Sequence, residues 1–117
     1  GCLQLPTTLP TLDELIGRED LRETTPIATM AAATEGGSTT GHLFTLHAEI
    51  EGGLLRGEFE ALLSAWRAQG YELGTLEESY LALDPTKAPN CLAAYGTVPG
   101  RSGRLAVQGD AARMARD

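Results

Sequence analysis

The chain has few aromatic residues, few cysteines and no long apolar run. With only six aromatic residues, its core must consist mainly of leucine, alanine and valine. Cys2 and Cys91 are too few to build a disulfide framework or a zinc cluster, so we expect a reducing, cytoplasmic setting. No segment reaches the roughly twenty apolar residues that a bilayer-spanning helix requires. The sequence therefore predicts neither a disulfide-stapled domain nor a membrane span.

Positive charge is also scarce, and the formal net charge of the 117 residues is -7. Nucleic-acid binding needs a basic surface that neutralises phosphates, so we expect no nucleic-acid partner. Four arginines gather near the end: Arg101, Arg104, Arg113 and Arg116. They would suit an anionic head group, but the simpler interpretation is a solvated tail.

Helical patterns account for most of the predicted structure. Helices are predicted after the N-cap residue Thr11, from Pro26 to Thr34, from Leu54 to Gln69, and from Thr75 to about Leu83. The third has one apolar face, formed by Leu55, Phe59, Leu62, Leu63 and Trp66. Gly70 is its natural stop, and Thr75 with Glu78 forms a capping box for the fourth helix.

Strands are predicted at Leu43–Leu46, Tyr71–Leu73 and Leu105–Val107. Strand and helix alternate in the middle of the chain, which predicts parallel pairing with covering helices, an α/β architecture. The strands of a parallel sheet are normally covered by helices on both faces, and this chain has too few elements to do that. We therefore expect the chain to be the closing segment of a larger fold. We assign residues 1–109 to that segment and 110–117 to a frayed tail. Because the chain begins at Gly1 and not at methionine, we expect a processed protein or a piece of a longer one.

The segment 44–52, Phe-Thr-Leu-His-Ala-Glu-Ile-Glu-Gly, carries the ionisable residues of greatest interest. His47 ends the predicted strand just before a helix, which is where α/β folds place catalytic groups. Side chains two apart in a strand share a face, so Glu49 and Glu51 would lie beside His47. The alternative is a buried structural histidine followed by solvated glutamates.

Two enzyme classes are disfavoured by the same residues. Glycosidases need two carboxylates facing each other across a cleft, roughly 5 to 10 Å apart, which neighbouring strand residues do not provide. Nucleobase deaminases need His-x-Glu together with Pro-Cys-x-x-Cys, and Cys91 after Pro89 has no second cysteine at that spacing.

Three strings occur in an order and spacing that resemble one known family. They are residues 6–18 (Pro-Thr-Thr-Leu-Pro-Thr-Leu-Asp-Glu-Leu-Ile-Gly-Arg), the segment 44–52, and residues 100–105 (Gly-Arg-Ser-Gly-Arg-Leu). Over roughly residues 1 to 109, the chain resembles the C-terminal part of the NodB-like polysaccharide deacetylase family. The stretch between Glu19 and Gly41 matches poorly.

The resemblance implies a deformed (β/α) barrel with a divalent metal, zinc or a similar ion, held by one aspartate and two histidines. A second aspartate would act as base on the metal-bound water, and a late histidine would protonate the leaving amine. His47 falls in the string that matches this late histidine, so the resemblance implies that His47 is the catalytic acid. Glu49, Glu51 and Thr7 are the residues we expect to contact substrate.

The metal and base motifs of the family lie in its first half, which this sequence does not contain. His42 and His47 are five residues apart and do not match the family's His-x-x-x-His spacing. We therefore expect no metal ligands in this span, no activity from it alone, and a missing N-terminal half as its partner.

The function implied by the resemblance is hydrolysis of a formyl or acetyl group from the amino sugar of a lipid-linked or polysaccharide substrate. In the family, the product feeds a lipid A modification that lowers affinity for cationic antimicrobial peptides. The expected location is cytoplasmic, and contact with the inner face of the inner membrane stays open. Two alternatives remain: an inactive fragment that self-associates through open sheet edges, and a small acidic binding module.

Overall fold

The computed structural model describes residues 2–112, which form short helices followed by one β-hairpin. In chain order the elements are α1 (Leu12–Leu15), a 3-10 turn (Glu19–Leu21), α2 (Pro26–Thr34), a wide π-type turn (Ile50–Leu54), α3 (Arg56–Ala68), α4 (Leu76–Ala82), a 3-10 turn (Pro85–Lys87), β1 (Cys91–Gly96) and β2 (Leu105–Ala111). In this part of the chain, no helix has the length and apolar character needed to cross a membrane.

The four predicted helices are confirmed, and local sequence explains their ends. α2 begins after Thr25, whose hydroxyl accepts a hydrogen bond from the backbone N–H of Ala28. α4 begins with the predicted capping box between Thr75 and Glu78. α3 ends where Gly70 adopts a φ of 91°, a left-handed conformation that side chains disfavour.

The core lies where α1, α2 and α3 meet. Its buried apolar residues are Leu9, Leu12, Leu15, Met30, Leu62 and Trp66. Phe44 packs against this core with its ring 5.4 Å from that of Trp66 in a T-shaped arrangement. The predicted apolar face of α3 therefore points inward, with Leu62 and Trp66 buried in this core.

A polar network fastens the C-terminal end of α2 to that of α3. The Thr34 hydroxyl lies 2.7 Å from Oε1 of Gln69, and Nε2 of Gln69 donates to the carbonyl of Ala31 at 2.7 Å. The Tyr71 hydroxyl donates to the carbonyl of Thr34, also at 2.7 Å. These bonds occupy polar groups that burial would otherwise leave unpaired.

Two strand predictions are wrong. Residues 43–46 and 71–73 belong to no β-ladder in the described part of the chain. The first segment makes one backbone hydrogen bond with the N-terminal stretch, from Thr8 N–H to the Leu43 carbonyl at 3.1 Å, and is held by the packing of Phe44. In the second segment, residues 71–73, the Tyr71 hydroxyl donates to the Thr34 carbonyl in the polar network between α2 and α3. Contacts of Phe44 with Trp66 and of Tyr71 with Thr34 hold the two segments without any strand pairing.

The sheet that does form is a two-stranded hairpin, and it is antiparallel where the sequence predicted parallel pairing. β2 confirms the predicted strand at Leu105–Val107 and extends to Ala111, two residues into the predicted tail. Residues 113–117 of that tail lie outside the described residues. β1 was not predicted. The described structure is thus mixed helix and strand, compatible with a fragment of an α/β domain.

The C-terminal elements pack little against the rest. None of the residues of α4 is buried, and the hairpin exposes 64% of Leu92 and 72% of Tyr95. The radius of gyration is 16.3 Å, whereas a compact domain of this length would have about 13 Å. Among the described residues, the elements after α3 therefore contribute none of the buried apolar residues of the core.

Candidate functional site

His47 stands at the junction between the extended segment that carries Phe44 and the helical turn that leads into α3. Its carbonyl accepts hydrogen bonds from the N–H groups of Ile50 and Glu51, both at 3.0 Å. The residue is half-buried, and Nδ1 is enclosed without a hydrogen-bond partner among the described residues. His47 thus precedes a helical turn, whereas the sequence predicted a strand up to this segment and a helix only from Leu54.

Glu51 is the most enclosed charged residue of this region. Only 1% of it is exposed, and its Oε2 accepts a hydrogen bond from the backbone N–H of His47 at 2.6 Å. Its other oxygen, Oε1, is buried and has no partner within residues 2–112. Gly53 departs from helical geometry (φ -117°, ψ -109°), which separates this turn from α3.

Glu49 and Thr7 are both exposed. The expectation that Glu49 and Glu51 share a strand face with His47 is wrong, because residues 48–54 are helical. At helical spacing, Glu51 turns back onto the His47 backbone while Glu49 is exposed to solvent. Contact of Glu49, Glu51 or Thr7 with a substrate remains a prediction.

An open cavity of about 420 Å³ adjoins the His47 turn. Leu46 and Ala48, the two sequence neighbours of His47, contribute to its wall, as do Glu51 from the helical turn and Phe59 and Leu63 from α3. Its polar side contains Arg56, whose Nε donates to Oε1 of Glu60 at 3.0 Å. His47 is therefore flanked by a mostly apolar depression.

Asp13 of α1 supplies negative charge near His47. The neighbouring Thr11 hydroxyl contributes most to lowering the pKa of Asp13, and slight burial opposes it. The backbone N–H of Asp13 and the proximity of His47 and Arg101 lower it further. Within residues 2–112 the Thr11 hydroxyl, which lowers the pKa of Asp13, has no hydrogen-bond partner of good geometry. Asp13 is thus an anion at neutral pH within electrostatic range of His47.

Arg101 joins the hairpin to α1. Its Nε donates to Oε1 of Glu14 at 2.6 Å, and this hydrogen bond and the carboxylate charge raise the pKa of Arg101 above its usual value. Glu14 is buried, and its Oε2 accepts from the Thr11 N–H at 3.1 Å. Sequence reasoning missed this pair, although its members lie in two of the three strings that carry the family resemblance.

The residues present do not fit a metal site. Within residues 2–112, no three His, Cys, Asp or Glu side chains are grouped so that they could bind an ion. His42 and His47 have separate surroundings, since Nδ1 of His42 lies 3.2 Å from the Thr8 hydroxyl. The divalent metal implied by the resemblance therefore remains a prediction about a larger domain.

Comparisons with known proteins show which protein this chain is similar to. No family model matches the chain, and no solved structure matches it. The chain is 30% identical over 109 residues to a probable 4-deoxy-4-formamido-L-arabinose-phosphoundecaprenol deformylase, ArnD, of Wigglesworthia glossinidia brevipalpis. The aligned region covers 92% of this chain and 37% of the relative. The chain is therefore similar, along nearly its whole length, to about a third of that protein.

Proposed function

We propose that this chain is the C-terminal portion of a carbohydrate N-deformylase or N-deacetylase that acts in lipid A modification. The observation that carries the proposal is the similarity of 109 residues to a protein named as a deformylase of a lipid-linked formamido sugar. The proposed substrate class is accordingly an amino sugar that carries a formyl or acetyl group on nitrogen, attached to a lipid phosphate or a polysaccharide.

His47 is the proposed general acid. Cleavage of an amide requires a proton on the departing nitrogen, and a histidine can hold and deliver that proton near neutral pH. Its place in the turn that adjoins a mostly apolar cavity supports this role. Glu49 and Thr7, both exposed, are proposed to contact the sugar.

The proposed complete domain is a deformed (β/α) barrel whose remaining part packs against this span. The support is the apolar surface of the C-terminal elements. Leu76, Tyr80 and Leu83 recur on one side of α4 and are 56%, 51% and 45% exposed. The ligands of a divalent metal would lie in that remaining part, since residues 2–112 do not group them.

The test is made in a longer protein that contains this span. The DNA upstream of Gly1 is sequenced for an in-frame stretch that encodes an Asp-Asp motif and His-x-x-x-His. The protein so defined is then assayed for release of formate or acetate from a lipid-linked sugar. His47→Ala should lower turnover by roughly 10² to 10⁴, while His42→Ala, the matched control, should not. Unchanged turnover in His47→Ala would refute the assignment.

A second candidate is an inactive chain that self-associates. The observation in its favour is the hairpin, because an isolated two-stranded sheet is marginally stable and both of its edges are unpaired among the described residues. Light scattering on the purified chain tests self-association. A dimer that is dissociated by Tyr95→Lys or Leu92→Lys would support it. A chain that stays monomeric at all concentrations would exclude it.

A further inference from the structure

The Glu51 carboxylate contacts the backbone of His47, the proposed general acid. Oε2 accepts the N–H of His47 at 2.6 Å, and the N–H groups of Ile50 and Glu51 donate to the carbonyl of His47 at 3.0 Å. The N–H and the carbonyl of His47 are therefore both hydrogen-bonded. Glu51 contributes to both bonds, through its side chain at the N–H and through its own N–H at the carbonyl. This arrangement fixes the direction in which the His47 side chain leaves the chain.

Burial makes this use of a carboxylate costly. Glu51 is 1% exposed, and only one of its two oxygens has a partner among the described residues. An ionised carboxylate in such surroundings is unfavourable unless it is well hydrogen-bonded. The 2.6 Å hydrogen bond from the His47 N–H satisfies one of these two oxygens.

We infer that Glu51 is a positioning residue that orients His47 through the His47 backbone. Glu51 borders the cavity beside the His47 turn, but its side chain is only 1% exposed and its Oε2 accepts from that backbone, whereas Glu49 is exposed. The catalytic part of this inference rests on the proposed function of His47. The structural part does not, because it concerns only the hydrogen bond between the Glu51 side chain and the His47 backbone.

Amide hydrogen exchange of the purified chain, followed residue by residue by NMR, tests the structural part. Glu51→Met keeps most of the side-chain volume and removes the acceptor, so exchange at the His47 amide should accelerate about ten- to hundredfold. Glu51→Gln retains an acceptor oxygen and should largely restore protection. Glu49→Gln is the matched control, and the Thr8 amide, bonded to the Leu43 carbonyl, is the internal reference.

An unchanged His47 amide in folded Glu51→Met would overturn the inference, and so would a wild-type amide that exchanges as fast as an unstructured one. The second measurement decides the matter even if the Met variant does not fold. In the longer protein, Glu51→Met should lower kcat with little change in KM, and Glu51→Gln should recover most of kcat. If exchange behaves as expected but His47→Ala remains fully active, the proposed function fails while the positioning contact stands.

Discussion

Arg101 and Glu14 form an ion pair across 87 residues of sequence, with Nε and Oε1 2.6 Å apart. The pair connects the loop between β1 and β2 to α1, the helix that also carries Asp13. Gly100 reinforces the contact, because its backbone lies directly against the carbonyl of Glu14. Gly100 and Arg101, which are neighbours in sequence, thus hold the hairpin loop against α1.

Removing the ion pair should loosen this connection. Arg101→Gln leaves the buried Glu14 carboxylate without its cation, so we expect the melting temperature to fall by roughly 2 to 5 °C. Arg56→Gln, which removes an exposed pair with Glu60, is the control and should have almost no effect. Circular dichroism melts of the three proteins check this. Equal melting temperatures for wild type and Arg101→Gln would contradict it.

Gly100 should not tolerate a side chain. A Cβ there would lie 2.3 Å from the Glu14 carbonyl oxygen, and the φ of 85° is already unfavourable for other residues. Gly100→Ala should therefore lower the free energy of unfolding by about 2 kcal/mol or more. Gly103→Ala separates the two causes, because Gly103 has a φ of 75° but open space around its Cβ. Urea titrations should show the larger loss at Gly100, and equal losses would mean that the contact with Glu14 is unimportant.

The core between α1, α2 and α3 should carry most of the stability. Leu62 is fully buried, so Leu62→Ala should cost about 2 to 5 kcal/mol of unfolding free energy. Leu81 on α4 is 73% exposed, and Leu81→Ala should cost less than about 0.5 kcal/mol. Denaturant midpoints measure both changes. A cost at Leu81 similar to that at Leu62 would show that α4 is packed in solution.

Asp13 should make stability depend on acid pH. Its pKa is lowered below the ordinary 3.8 in the folded chain, chiefly by the Thr11 hydroxyl. A carboxyl with a depressed pKa contributes stability above its unfolded value and loses that contribution as the pH falls through the folded value. Stability should therefore fall below about pH 4. Asp13→Asn and Thr11→Val should both flatten that part of the curve of melting temperature against pH. Parallel curves for wild type and Asp13→Asn would contradict the effect.

The local sequence determined the helices, because the signals that begin and end a helix lie within a few residues of it. Thr25, Thr75 and Gly70 mark helix ends, and the spacing of Leu62 and Trp66 predicted the buried face of α3. The same local signals singled out His47 and its position before a helix.

Only the tertiary structure decided the strands and the partners of the site residues. A short apolar run such as Leu43–Leu46 suits either a ladder or packing against a helix, and contact of Phe44 with α3 selected the second. β1 is rich in alanine and has no alternating pattern, so its pairing with β2 was not visible. The helical turn after His47 brought Glu51 rather than Glu49 to its backbone, and folding brought Arg101 to Glu14. Pairings between distant residues depend on the path of the whole chain, which no local spacing specifies.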